Sequence, residues 1–343
     1  MSATLAEKRT PSSDANDPTR EQNPDASDVL VCIGREHHAD PLIPHAKAVA
    51  RAFGGNVVLL HVIEPPANGI TQVDPVDWDI RRREAMALVT RLAQKFDTDT
   101  GGIGVKVMEG RCVEQICKCL SSRPQDIAAV SRQRGPDGWH AGEMMRGVAA
   151  SDLGSILMVP SDGAGSEPLH YTRILVPLDG SPRAESAVPK AVKLARVYGA
   201  ELILCHVTPE PVLTEIGAVQ RDAISLKDQI TQRNKIIGQT YLNSVKNKLA
   251  ECGVSASAKI TVGGDVRRAL MEAIQREAAD LVVIASHGQS GHADVPAGDV
   301  ANFILERSDV PVLMFRQSRP QKDQHVFGEV RSEGIRHPAD LEK

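Results

Sequence analysis

Short aliphatic runs alternate along this chain with longer stretches in which apolar residues recur every three or four positions. The runs V-L-V-C-I (Val29 to Ile33), V-V-L-L-H-V (Val57 to Val62), R-I-L-V-P (Arg173 to Pro177) and L-V-V-I-A (Leu281 to Ala285) place apolar side chains at consecutive positions. A strand apolar on both faces is buried on both, which is the mark of a parallel sheet covered by helices. The pattern predicts strands over 28–34, 56–63, 104–109, 126–131 and 155–160, then over 172–178, 201–207, 257–263, 280–285 and 310–315. Helices are predicted over 41–53, 77–96, 111–122 and 141–151, then over 182–198, 224–251, 265–277 and 298–307. Asp40-Pro41 and Ser181-Pro182 each place a capping residue before a proline at the first helical position. Gly54-Gly55 and Gly199 stop the first helix of each set. Strands alternating with helices imply right-handed crossovers and a doubly wound layer structure.

The two sets are copies of each other. Val29 and Ile174, Gly54 and Gly199, His61 and His206 all stand 145 residues apart. The offset grows to 153 at Gly110 and Gly263, 154 at Asp126 and Asp280, and 156 at Met158 and Met314. A fixed order with a drifting offset means duplicated domains carrying loop insertions, not a short solenoid repeat. The fold class expected is therefore α/β: two tandem Rossmann-like domains, each a five-stranded parallel sheet flanked by helices. The domains are placed at 28–160 and 172–316, joined by a linker over 161–171 (S-D-G-A-G-S-E-P-L-H-Y). Residues 1–27 and 317–343 are polar and Pro-, Asp- and Gln-containing, and read as flexible tails. The last strands, 155–160 and 310–315, are apolar edges that need covering, so the halves are expected to pack through them as a pseudo-twofold pair.

Composition narrows the function. The 343 residues are 41% hydrophobic and 24% charged, ordinary for a globular chain. Aromatics are only 3%, which removes a base-stacking surface for single-stranded nucleic acid. A formal net charge of −4, with no long basic run, gives no support to a phosphate-backbone partner. No run is long and apolar enough to span a membrane, and the first residues hold no apolar signal core. Cys32 and Cys205 read as small core residues, and Cys112, Cys117 and Cys119 share a short helix without a matching half of a zinc site. The expectation from these features is a cytoplasmic protein in a reducing compartment.

Candidate chemistry sits in the second half. In an open parallel sheet, ligands bind at the carboxyl ends of strands where the strand order reverses. For order 3-2-1-4-5 those ends are Pro177-Leu178-Asp179-Gly180 and Ala285-Ser286-His287-Gly288. An acid able to accept ribose hydroxyls thus faces a turn of small residues, and Gly298 opens the next helix, whose free N–H groups suit phosphate. These residues, with His206-Val207, Gly263 and the V-P-V-L-M finish, resemble the universal stress protein family in its tandem two-domain form. The family's nucleotide motif is Gly, two residues, Gly, nine residues, Gly, then Ser or Thr. Here the register reads Ala285-Ser286-His287-Gly288, nine residues, then Gly298-Asp299, so the spacing is kept while Ala285 and Asp299 depart.

The resemblance implies roles for named residues. Asp179 would hold the ribose or adenine edge, and Pro177, Leu178, Val207 and Ile284 would line the adenine slot. His287, Gly288 and Gly298 would approach the phosphates. Ala285 either crowds them or simply packs. Asp299, a carboxylate where the family binds phosphate, reads as a helix N-cap. A metal site from His292, Asp294 and Asp299 is disfavoured by irregular spacing, and His61 and His206 read as serving the fold. The first half departs further: Gly34 replaces the strand-end acid, and Arg132-Gln133-Arg134 replace S-H-G. That half reads as structural, its arginines binding an anion or facing solvent.

No nucleophile–base pair, metal cluster or Walker lysine appears, so no catalytic residue is assigned. The resemblance implies a stress-response or regulatory protein whose second domain senses ATP or another adenine nucleotide, with Mg only if ATP is bound. It implies a protein partner that the sequence does not identify, and leaves a homodimer open. Two alternatives stand beside it: an interaction protein of the same fold without nucleotide, and a slow nucleotide hydrolase.

Overall fold

The computed structural model describes residues 26–34, 39–65, 74–96, 102–135, 138–140, 143–151, 153–161, 169–211, 221–288 and 297–316. In the first half the elements run β1 (Val29–Ile33), α1 (Ala39–Phe53), β2 (Val57–Ile63), α2 (Pro75–Phe96), β3 (Gly104–Glu109), α3 (Cys112–Ser122), β4 (Ile127–Gly135), β5 (Gly138–His140), α4 (Glu143–Ala150) and β6 (Ser155–Pro160). The second half continues with β7 (Arg173–Pro177), α5 (Pro182–Glu185), α6 (Val188–Tyr198), β8 (Glu201–Pro209), α7 (Arg221–Glu251), β9 (Ala256–Gly263), α8 (Val266–Arg276), β10 (Leu281–Ala285), α9 (Asp299–Arg307) and β11 (Val312–Phe315).

These strands form one sheet in the order β3-β2-β1-β4-β6-β11-β10-β7-β8-β9, with β5 hairpinned onto β4. Each half has the expected doubly wound order, parallel throughout except for that hairpin. The halves meet at β6 and β11, which pair antiparallel with Val312 opposite Met158 and Met314 opposite Ile156. Each otherwise open edge thus satisfies the backbone groups of the other. The sheet carries one core on each face. Helices α1, α2, α6 and α7 cover one face, and α3, α4, α8 and α9 the other.

Several local expectations change. The helix predicted over 182–198 breaks at Ser186-Ala187. Pro189 lacks the N–H that a continuous helix needs, and its ring crowds the carbonyl four residues back. Ser181 caps α5 as expected, accepting from the Ala184 N–H at 3.1 Å. Asp40 does not cap: α1 starts ahead of it, and its carboxylate pairs with Lys95 at 2.7 Å. The R-Q-R-G-P-D-G-W-H stretch, unassigned by the pattern, folds largely into the β4–β5 hairpin. Ser27, placed in the tail, is buried, its carbonyl lying where a side chain on Gly55 would have to go. The rest of both tails, and most of the linker, lie outside the described residues.

The linker's Tyr171 is fully buried at the seam between the halves. Its hydroxyl lies 2.7 Å from Nδ1 of His45 on α1, and the Tyr198 hydroxyl donates to Ala48 O at 2.7 Å. Lys190 of α6 sits over both Phe53 and Phe315, 5.8 and 5.6 Å from the ring centroids.

Candidate functional site

Strand order reverses between β7 and β10, and a cleft of about 760 Å³ opens beyond their carboxyl ends. All ten residues singled out from the sequence line it: Pro177, Leu178, Asp179, Val207, Ile284, Ala285, His287, Gly288, Gly298 and Asp299. The wall also uses Cys205, His206, Val266 and Leu270, which the pattern alone did not mark. Val266 and Leu270 stand four apart just after Asp265, the N-cap of α8, so the helical period held a signal for them.

At one end of the cleft lies Asp179. Its Oδ1 accepts from the Ser181 N–H at 2.9 Å and from Ser181 Oγ at 2.6 Å, which fixes the carboxylate. Gly180 turns the chain there at φ 84°, a conformation natural to glycine. Across the cleft, Gly288 has no room for a side chain: a Cβ on it would fall 2.2 Å from Asp179 Oδ2. This glycine is demanded by close approach to the acid.

At the other end lies the start of α9. The Gly298 N–H is taken by Ser286 O at 2.7 Å. Gly298 has φ −66° and caps α9 without a side-chain bond. Among the described residues, a Cβ there would meet Ser286 O at 3.5 Å and His287 Cα at 3.9 Å, ordinary contacts. Neither strain nor crowding by the described residues requires this glycine. The Asn302 N–H reaches Gly298 O at 3.0 Å, so the amides of Asp299, Val300 and Ala301 precede the first intrahelical bond. All three residues line the cleft.

Asp299 is corrected. Gly298 is the N-cap, and Asp299 is the first helical residue, largely exposed, with Oδ2 held 3.1 Å from Arg267 Nη1. Arg267 also pairs with both carboxylate oxygens of Asp265 at 3.1 Å and lies 5.5 Å over the Phe303 ring. The Asp265 bonds, before the Asp299 charge, hold the Arg267 guanidinium above its ordinary pKa. The carboxylate at the mouth of the cleft is therefore already countered. Ala285 is settled too. Its methyl belongs to the core on the opposite face from Val207 and Ile284, so it packs.

His287 Nδ1 lies 3.0 Å from Ser286 Oγ. His206 Nδ1 lies 2.8 Å from Leu178 O, and His61 Nδ1 lies 2.9 Å from Ile33 O. A carbonyl only accepts, so both histidines donate to the strand-end loop beside them, the same structural task in each half. His292 and Asp294 fall outside the described residues, and among the described residues no group of three or more potential metal ligands forms.

In the first half Arg132 does not face solvent. It is fully buried, and its guanidinium donates to Leu305 O at 2.9 Å and to Ser308 O, both at the carboxyl end of α9. The side chains of Gln133 and Arg134 lie outside the described residues. The described cysteines are free thiols, with Cys32, Cys112 and Cys205 pushed up by burial. No described helix is long and apolar enough to cross a membrane.

Known proteins resemble this chain in sequence and in fold. The sequence profile of the universal stress protein family matches residues 170–316. A Bacillus subtilis universal stress protein, YxiE, is 30% identical over 148 residues, spanning 43% of this chain and 99% of that protein. A Mycobacterium tuberculosis universal stress protein is 26% identical over 188 residues, 52% of this chain and 59% of that protein. Among solved structures, a universal stress protein from Archaeoglobus fulgidus superposes with a TM-score of 0.60 at 17% identity, covering 85% of this chain and 99% of its own, a likeness of fold. The chain belongs to the universal stress protein family.

Proposed function

We propose that this protein is a regulatory stress protein whose second half binds an adenine nucleotide in the β7–β10 cleft. The observation that carries the reading is Gly298. It is a motif glycine that neither its backbone angle nor the described residues around it require, and it stands where a ligand would approach the first amides of α9. Pro177, Leu178, Val207 and Ile284 would enclose the base, and the fixed Asp179 carboxylate would accept ribose hydroxyls. The amides of Asp299, Val300 and Ala301, at the positive end of α9, would take phosphate oxygens. A cleft of about 760 Å³ is of the size that small-molecule sites use. Mg would enter only with ATP, as its phosphate counter-ion.

Mass spectrometry of small molecules released from the purified, denatured protein tests this reading. An adenine nucleotide at near one equivalent supports it. None, together with no heat on titration of AMP, ADP or ATP, removes it in favour of an interaction protein of the same fold. The Asp299–Arg267 pair across the phosphate end is the observation that keeps this second reading in view. Steady phosphate release from ATP, lost in Asp179→Ala, would instead mark a slow hydrolase.

A further inference from the structure

The first half lacks the glycine register of the second, yet it touches the helix on which that register ends. Arg132 stands where the second half has Ser286, at a point where β4 runs on past the length of its counterpart β10. The extended strand turns back as β5, and β5 lies against α9. From β4 the fully buried Arg132 guanidinium meets the last turn of α9 through Leu305 O and Ser308 O. Carbonyls at a helix end have no intrahelical donors and carry the negative end of its dipole, so a buried guanidinium is a matched partner. Helix α9 has nine residues and is only about 13 Å long. Its carboxyl end is held by the first half, while its amino end forms one end of the second half's cleft. A short rigid rod fixed at one end points where that fixture sets it.

We propose that Arg132 is a positioning residue for the cleft: it sets the register and tilt of α9, and so aims the amides of Asp299, Val300 and Ala301. The divergence of the first half is on this view a change of task, from holding a ligand to holding its neighbour's binding helix. The effect on phosphate rests on the nucleotide reading above, whereas the anchoring of α9 does not.

The molecule supplies its own control. Arg316, after β11, donates to Ala149 O, Ser151 O and Leu153 O at the carboxyl end of α4 in the first half. It is the reciprocal cross-half contact, to a helix that does not line the described cleft. The test uses the full chain carrying Arg132→Met, Arg132→Lys or Arg316→Met. Hydrogen exchange without ligand is followed for peptides over 299–307, with 281–285 as internal reference. Calorimetry then measures ATP and adenosine.

Arg132→Met is expected to speed exchange over 299–307 about tenfold while the reference holds. It is expected to weaken ATP at least about fivefold and adenosine less than about twofold, with Arg132→Lys between it and wild type. Arg316→Met should leave α9 exchange and both affinities near wild type. Unchanged α9 exchange in Arg132→Met overturns the proposal, as does an equal loss of ATP and adenosine, or the same ATP loss in Arg316→Met. Should Arg132→Met fail to fold, Arg132→Lys carries the same comparison. If wild type binds neither ligand, the nucleotide reading falls, and the exchange arm alone decides whether Arg132 holds α9.

Discussion

Acid should loosen the seam between the halves through one histidine. His45 lies in α1 with 8% of its surface exposed, and its Nδ1 is 2.7 Å from the hydroxyl of the fully buried Tyr171. The phenol has one proton to give, and burial keeps that proton on by pushing its pKa well up. With the phenol donating that proton, neutral His45 accepts at Nδ1 and carries its own proton at Nε2. Protonation would bury a cation and remove the acceptor at once. Burial accordingly lowers the His45 pKa from 6.5 to about 4.

The sign follows from proton counting. Between pH 6.5 and about 4 the unfolded chain binds a proton at His45 that the folded chain does not. Stability from this group is thus complete above pH 6.5, falls as pH drops through that window, and changes no further below it. The difference of pKa corresponds to about 3 kcal/mol at most, with a slope approaching roughly 1.4 kcal/mol per pH unit near pH 5. Local opening of the seam would cap the loss below that figure. Urea unfolding of wild type and His45→Asn from pH 7.5 to 4.5 reads it. The asparagine keeps an acceptor near Nδ1 but does not titrate, and the other histidines contribute equally to both proteins. The stability gap between the two should shrink by about 2–3 kcal/mol as pH falls. Parallel curves would refute the assignment of His45 as a buried neutral acceptor.

Three further outcomes concern the cleft. Gly288→Ala would place a Cβ 2.2 Å from Asp179 Oδ2, so it should displace the carboxylate, cost about 1–3 kcal/mol of stability and abolish adenosine binding; a normal melt with normal affinity would contradict the packing. Asp299→Ser should tighten ATP about tenfold and adenosine little, because it removes a carboxylate and leaves Arg267 to the phosphates; raising salt should narrow the difference, and equal affinities in variant and wild type would clear the carboxylate. Calorimetry should find one adenine-nucleotide site per chain, since the first half has Gly34 in place of Asp179 and uses Arg132 elsewhere; two equivalent sites would overturn the asymmetry.

The parts of this fold legible in sequence are those set by local repetition. Buried parallel strands write themselves as consecutive aliphatics, and the duplication made each strand visible twice. The cleft was legible because a doubly wound order puts two named strand ends side by side. What was missed depends on contacts between residues far apart in the chain. Asp299 read as a helix N-cap, and its pairing with Arg267, 32 residues earlier, gives no local sign in the sequence. The β4–β5 hairpin was missed because its paired segments, Gln133–Gly135 and Gly138–His140, are short and largely polar, and period-two reading needs an apolar face. Ala285 could have been resolved from sequence. Neighbouring strand residues point to opposite faces, so with Ile284 on the cleft side the methyl of Ala285 had to face away.

The same reasoning explains why the two halves diverged where they did. In an isolated half, the residue after the fourth strand has only its own cleft to serve. Once β6 and β11 join the halves antiparallel, that position in the first half also lies near the last helix of the second. A small residue such as Ser286 can hold the Gly298 N–H through its backbone, but it cannot cross that distance. An arginine can, and its guanidinium can satisfy two carbonyls at once. A small residue at 132 should therefore release α9 and, with it, loosen the cleft of the second half.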